Sequence, residues 1–538
     1  MGGVATGTVI RYRVSMELDE KVFSSTVCML PSKNRHETLG VSPLVLIFAI
    51  AFATRALQFG NPVIQVDEQF YLLAGDRLLR GALPFVDIWD RKPFGLFALF
   101  AAIRELGGTG IIQYQIVATL FAATTAVTVA LISLHITGRR GAIIAAIVYL
   151  VYILSSGGDG GQAPVFYNLP VAVAALIVLR IQARPSFDVS AISQACGAMA
   201  LLGLAIQIKY TVIFEGAFFG LWLVGFAWRR GIRPAPLAAL ALIWCGIALV
   251  PTLLVWAMYW HRGFADQFLF QNFISIFVRS SHELNIPGRL FAIGIHIALP
   301  LAVAIWGMTI RIGEGARGAQ IFIGAWALAA ILAVLGFGTY HNHYALPLFA
   351  PLAAAGAPIY GNPHARLRLR TFRPRVGHVV IVLGLLLGIG TMIGTRLSRG
   401  TGDAVYAAAR LVGSAPENCI FVFGGDPVLY HLTNSCLPTA YVFPSLLSEK
   451  PDANSLGRDQ MTELRATMAT KPRYVFVREP MLSEGQPAAW NFMRLALQKD
   501  YKMTFRERAG ASTLVGYTHT GRHEEHPMPI AVNDRNAR

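Results

Sequence analysis

Asp67 and Glu68 stand side by side just beyond the first apolar run of this chain. Within the stretch 66–93 they are joined by Asp76, Asp87, Asp90, Arg77, Arg80, Arg91 and Lys92, interleaved with Phe70, Tyr71, Phe85 and Trp89. Acids and bases packed this densely between apolar segments are expensive to hold near a bilayer, and such clusters mark working sites. A partly desolvated carboxylate there can take a proton from an acceptor hydroxyl. In an extended backbone the adjacent side chains of Asp67 and Glu68 need not converge, so one can act while the other orients a partner or holds a cation. Asp87 and Asp90 either complete a metal or sugar site or pair with Arg91 and Lys92. Lys92 precedes Pro93 at headgroup depth, where a lysine binds a lipid phosphate as a point charge. Lys209, stranded between two apolar runs, invites the same reading, with snorkelling to the interface as the alternative. His341 and His343 have a spacing compatible with a metal, but beside Tyr340 and Tyr344 they read more simply as an interfacial pair. Gly424-Gly425-Asp426-Pro427 lacks a phosphate-binding fingerprint and reads as a strand-to-helix turn capped by Asp426.

The elements that position these residues are mostly membrane helices. The chain has 538 residues, 54% hydrophobic and 14% charged, against about 25% charged in soluble proteins. Apolar runs near 41–58, 111–134, 142–157, 165–181, 191–207, 211–228, 235–259, 290–310, 318–336, 345–360 and 378–397 predict eleven spans of an α-helical polytopic membrane protein. The formal charge of +16 lies mostly in short loops between these runs, where it orients the chain. Nucleic-acid binding is therefore not supported. The apolar segment 93–106 would rise about 21 Å as a helix, short of a hydrocarbon core about 30 Å thick. If it does not cross, Arg139, Arg140, Arg180, Arg184, Arg229, Arg230, Arg233, Arg311, Arg317, Arg366, Arg368, Arg370, Arg373 and Arg375 share one side, which must be cytoplasmic. The acid-rich loop 59–110, the run Gly157-Gly158-Asp159-Gly160-Gly161-Gln162, Lys209, the loop 261–289 and the histidine pair then face outward together.

Residues 1–40 read as a cytoplasmic tail and 41–397 as the transmembrane domain. Residues 398–520 alternate β-like runs (419–423, 474–478, 512–517) with helical stretches (403–412, 487–499) and predict a small extracytoplasmic α/β domain. Residues 521–538 read as a polar, disordered tail. Of five cysteines, Cys196 and Cys245 sit in apolar runs, while Cys419 and Cys436 can pair in an oxidising compartment.

The run Asp67-Glu68, Tyr71 and Gly81…Leu83-Pro84-Phe85…Asp87-Ile88-Trp89-Asp90-Arg91-Lys92-Pro93, with the half-spanning helix after it, resembles the GT-C glycosyltransferases. The similarity is to the bacterial protein-mannosyltransferase-like and lipid A aminoarabinose transferase-like branch, and within it to enzymes that add galacturonic acid to rhizobial lipopolysaccharide. Gly203-Leu204-Ala205…Lys209 and Tyr344-Ala345-Leu346-Pro347 with Pro351 are similar to later segments of that family. The chain departs from it with Phe94 after Lys92-Pro93 and with Gln162 where relatives carry an acid. The resemblance implies inverting transfer of a sugar from a polyprenyl-phosphate donor to a lipid, lipopolysaccharide, glycan or protein acceptor, at the periplasmic face of a bacterial inner membrane. It implies Asp67 as general base, Glu68 orienting it or holding a divalent cation, and Lys92 and Lys209 on the donor phosphate. Tyr71, Asp87, Asp90, Arg91, His341, His343 and Tyr344 would line the substrate pocket.

A transporter or lipid flippase is the other class that a multi-span chain suggests, but transporters place charges at the bilayer midplane, and these spans are nearly free of Asp and Glu. The topology is checked by cysteine labelling. Reporters near Gly81, His341 and Ser455 should react with an impermeant maleimide from outside, and Arg139→Cys only after permeabilisation; labelling of Arg139→Cys in intact cells would refute it.

Overall fold

The computed structural model describes residues 39–521 apart from 280–283, 337, 363, 365, 368–374, 418 and 482. The two tails at 1–38 and 522–538, Cys28, and the expected cytoplasmic Arg368, Arg370 and Arg373 lie outside the described residues. In chain order the helices are α1 (Val41–Arg55), α2 (Val66–Leu79), α3 (Phe94–Arg104), α4 (Ile111–Ser133), α5 (Arg139–Ile153), α6 (Ala163–Gln182), α7 (Val189–Ile206), α8 (Val212–Arg229), α9 (Pro234–His261), α10 (Ala265–Leu269), α11 (Ser275–Val278), α12 (Ile286–Thr309), α13 (Glu314–Gly336), α14 (Phe349–Gly361) and α15 (Val376–Arg399).

Ten helices among the described residues are long and apolar enough to cross a membrane, one fewer than the sequence predicts. The segment near 345–360 is not one α-helix. It begins as a seven-residue 3-10 helix, Asn342–Leu348, and continues as the thirteen-residue α14. Pro347 and Pro351 lack N–H donors, so the α-helical ladder cannot start cleanly there. End to end the two pieces still rise about 34 Å, and α14 is buried against α5 and α12.

The first half of the charged segment, read from sequence as a loop, is helical. Gln65 is extended and α2 follows, with Asp67 and Glu68 in its first turn, where carboxylates favour the helix dipole. Its last turn closes when Arg80 N–H donates to the carbonyls of Arg77 and Leu78. The expected short apolar helix is α3, which packs along α2 through edge-to-face pairs Phe70–Phe97 and Tyr71–Phe100. Between them, Phe85 holds a left-handed φ of 68°, a strained conformation for a residue with a side chain. It is kept there by burial among Phe97, Tyr259 and Phe268 and by Gln271, which donates to its carbonyl.

After α15 comes α16 (Asp403–Val412), then a four-stranded sheet of order β1-β2-β4-β3, with β1 (Ile420–Phe423), β2 (Tyr474–Glu479), β3 (Tyr501–Ala509) and β4 (Ser512–His519). β1 and β2 run parallel, and β4 is antiparallel to both β2 and β3. Three strands match the sequence expectation. β3 escapes it because seven of its nine residues are exposed or half-buried, so no apolar alternation marks this edge strand. Cys419 and Cys436 are joined as a disulfide with Cα atoms 4.6 Å apart.

Asp426 does not cap the helix that follows it, Val428–Leu432. The cap position falls on Pro427 without a side-chain bond, and the Val428 N–H donates to Gln69 of α2. The buried Asp426 carboxylate instead accepts from Gln69 at 3.0 Å and from Arg399 at 3.2 Å, and pairs with Arg478. A second buried carboxylate, Asp452, binds Arg91 at 3.1 Å, Arg279 at 3.0 Å and the Ser445 hydroxyl at 2.6 Å. Trp89 lies in the core of the sheet domain beside Tyr441, with its backbone N–H donating to the Ala440 carbonyl at 2.9 Å.

Removing one partner of a buried ion pair strands the others. Asp452→Asn should therefore cost about 3 kcal/mol and lower the melting temperature of the detergent-solubilised protein. Arg184→Ala, which breaks only the surface pair with Asp188, should cost under about 1 kcal/mol. Equal melting of Asp452→Asn and wild type would remove the joint from the account.

Candidate functional site

The site forms where the start of α2, the Asp90–Lys92 turn before α3, the α7–α8 junction and the segment before α14 meet. Asp90 Oδ1 accepts the Lys92 N–H at 2.7 Å, a tight local turn that aims the lysine side chain inward. The Lys92 ammonium lies 3.4 Å from Asp90 Oδ2 and 3.2 Å from Asp67 Oδ1. The rings of Tyr71 and Phe443 lie 5.2 and 5.1 Å from that nitrogen. Gln162 donates to the other Asp67 oxygen at 3.3 Å.

Burial alone would raise the Asp67 pKa, but the Lys92 charge, then His343 and the bonds from Lys92 and Gln162, hold it well below the usual carboxylate range. Burial would lower the pKa of Lys92, yet Asp90 and Asp67 together raise it above the ordinary lysine value. Asp67 and Lys92 are therefore a fully ionised pair. Lys209 sits 4.3 Å from the Tyr344 ring centroid. Burial brings its pKa down to about 8, with the Asp67 carboxylate opposing and Lys92 adding to the fall. His341 and His343 stack with centroids 5.5 Å apart. Burial, then Arg289, lowers His341 to about 4, and burial, then Lys209, holds His343 well below the usual imidazole value, so both rings are neutral.

Close approach of α3 to the end of α7 brings the two lysines to one face. A Cβ on Gly95 would meet the Gln207 carbonyl oxygen at 2.7 Å, so only glycine allows that contact. Glu68, one residue on from Asp67, points about 100° away round the helix. It is fully buried against the glycine run, where a Cβ on Gly160 would meet its carboxylate at 2.3 Å. Burial raises its pKa strongly. The Gly161 N–H and the Tyr114 hydroxyl approach and pull the other way, but neither closes a well-formed hydrogen bond, so the carboxyl stays protonated.

Asp67, Lys92, Asp90, Tyr71, Lys209, His343 and Tyr344 are thus gathered, with His341 behind His343. Asp87 is exposed, its carboxylate closing a turn on the Leu83 N–H at 2.6 Å. Arg91 turns toward Asp452 and the Trp89 ring, 4.5 Å from its centroid, and so faces the sheet domain. Among the described residues no group of three or more His, Cys, Asp or Glu is placed to hold a metal ion. Asp67 and Asp90 already share the Lys92 ammonium and Glu68 is turned away, so the residues present do not fit a divalent cation. Sequence reasoning missed Gln162 as the Asp67 partner, Phe443 beneath Lys92, and Arg289, which reaches His341 at 3.4 Å. No local spacing marks contacts that span 52 to 351 residues.

Because a Cβ at position 160 would enter the space of the Glu68 carboxylate, Gly160→Ala should lower the melting temperature. Glu68→Ala in the same chain should recover part of that loss, with a coupling of about 1 kcal/mol or more. Additive losses would show that the two do not touch.

No family model and no curated protein matches the sequence. Solved structures do. ArnT from Cupriavidus metallidurans in the apo state superposes with a TM-score of 0.59 and 14% identity, over 88% of this chain and 97% of that one. The same protein bound to undecaprenyl phosphate gives 0.58 and 15%, over the same shares. The oligosaccharyltransferase AglB from Archaeoglobus fulgidus, in complex with an inhibitory peptide and a dolichol-phosphate, gives 0.50 and 12%, over 91% and 75%. At these identities the likeness speaks to architecture, and the architecture of this chain is the GT-C fold.

Proposed function

We propose that this protein is a membrane glycosyltransferase that moves a sugar from a polyprenyl-phosphate donor to a hydroxyl of a lipid, lipopolysaccharide, glycan or protein acceptor. The reaction would take place at the periplasmic face of a bacterial inner membrane, with the C-terminal sheet domain on that side. The observation that carries this reading is the ionised Asp67 at the start of α2, paired with Lys92 and within electrostatic range of Lys209 and two neutral histidines, inside a GT-C fold. The polyprenyl phosphates bound by the ArnT and AglB structures support the donor class. The orientation rests on the arginines of the opposite loops.

The donor phosphate enters between Lys92 and Lys209, whose ammonium groups bind it as point charges. Drawing Lys92 toward the phosphate weakens its hold on Asp67. The carboxylate, kept weakly basic by that pairing, then regains the basicity that general-base catalysis needs. Asp67 takes the proton of the acceptor hydroxyl as its oxygen attacks the anomeric carbon opposite the phosphate. The bond from carbon to the acceptor oxygen forms and the bond to the phosphate oxygen breaks, inverting the centre. The electron pair leaves on the polyprenyl phosphate, where the two lysines stabilise it. Glu68, protonated and turned away, does not compete for the proton and shapes the wall beside Gly160. His341, His343, Tyr71 and Tyr344 offer neutral polar edges and ring faces to the sugar, and Asp90 fixes Lys92.

The test uses purified protein in nanodiscs with polyprenyl-phosphate sugars and a lipid acceptor extract. Asp67→Asn should reduce turnover by about 10²–10⁴-fold while the protein still folds and binds donor. Lys92→Ala should raise KM for the donor. Near-wild-type turnover by Asp67→Asn would remove Asp67 as the base, and absence of any glycosyl product from wild type would favour a transporter.

A further inference from the structure

A cavity of about 300 Å³ opens where the end of α15, the start of α16 and the β3–β4 turn meet Val63, which lies shortly before α2. Three arginines line it, Arg396, Arg399 and Arg508, against one carboxylate, Asp403, which already accepts from the Thr401 hydroxyl. Their commitments differ. Arg396 spends one nitrogen on the Leu57 carbonyl. Arg399 holds the Val63 carbonyl at 2.9 Å and Asp426 at 3.2 Å. Arg508 gives only its Nε, to the Gly510 carbonyl at 3.0 Å, and among the described residues its two terminal nitrogens donate no hydrogen bond. Neither Arg396 nor Arg508 pairs with an acid among the described residues.

Depth decides what these arginines can meet. Arg396 and Arg399 occupy the last turn of the spanning helix α15, so the cavity lies at the level of the lipid headgroups. Leu397, which lines the cavity, and Ile393, one turn deeper on the same helix, are exposed, an apolar surface for an acyl chain. A guanidinium fork above and exposed aliphatic side chains below match a phosphate esterified to a lipid better than a free anion.

We infer that this cavity binds the phosphate of an anionic membrane lipid, at a site separate from the Asp67–Lys92 centre. Arg508 is the adaptable ligand, and Arg396 and Arg399 form the fixed wall. Arg399 also touches the strut that holds α2, since Asp426 links it to Gln69. An occupant therefore bears on the backbone that carries Asp67, whether or not that residue transfers a sugar.

The test is native mass spectrometry of the full chain in detergent, titrated with short-chain phosphatidic acid, phosphatidylcholine and inorganic phosphate. Phosphatidic acid should bind saturably, and Arg508→Ala, at the exposed end of the edge strand β3, should weaken it about tenfold or more, with Arg508→Lys between. Lys92→Ala should leave this binding unchanged, which separates the site from the proposed donor position. Unchanged binding by Arg508→Ala would overturn the assignment, as would loss of binding in Lys92→Ala alone. Phosphatidylcholine binding as tightly would show apolar adsorption instead, and inorganic phosphate binding as tightly would overturn the lipid part.

Discussion

The half-buried Lys92 ammonium, held between Asp67 and Asp90, is the interaction on which the candidate site depends. Burial without an acid partner lowers a lysine's pKa, as at Lys209, and raises that of a carboxylate. Held together, both stay charged at the edge of an apolar bundle. The pair also stores a response. An anion drawn to Lys92 would loosen its hold on Asp67, so in the proposed reaction donor binding and the recovery of carboxylate basicity are coupled.

The surroundings keep that pair in register through buried carboxylates placed at joints. Asp426 ties α2 to the end of α15 and to β2, and Asp452 ties the turn before α3 to the loop before α12. Buried ion pairs of this kind are poor sources of net stability, because desolvation offsets the Coulomb gain. What they supply is geometry. Each carboxylate has two arginines in fixed directions, and breaking either contact would leave a buried charge. Trp89 in the sheet-domain core adds the apolar part of the same joint. The sheet domain is thereby seated on the helices that carry the site, with Phe443 brought beneath Lys92.

Sequence and tertiary structure contributed separable things. Composition determined the helical membrane class, and the density of charge at 66–93 located the candidate site, because both are local properties that burial cannot reverse. Asp67, Asp90 and Lys92 fall within one short stretch, so their association was legible, and so was the short apolar α3. Tertiary structure alone decided that Asp87 and Arg91 face elsewhere, since neighbours in a turn point in different directions. It also decided that Glu68 is protonated against a glycine run ninety residues away, and that Asp426 binds two arginines instead of capping a helix. The helix that carries Asp67 was read as a loop, because its charges masked a periodicity that packing against α3 and the sheet domain supplies. The protonation state and partner of a buried group are set by which distant atoms exclude water from it, and chain spacing holds no record of that.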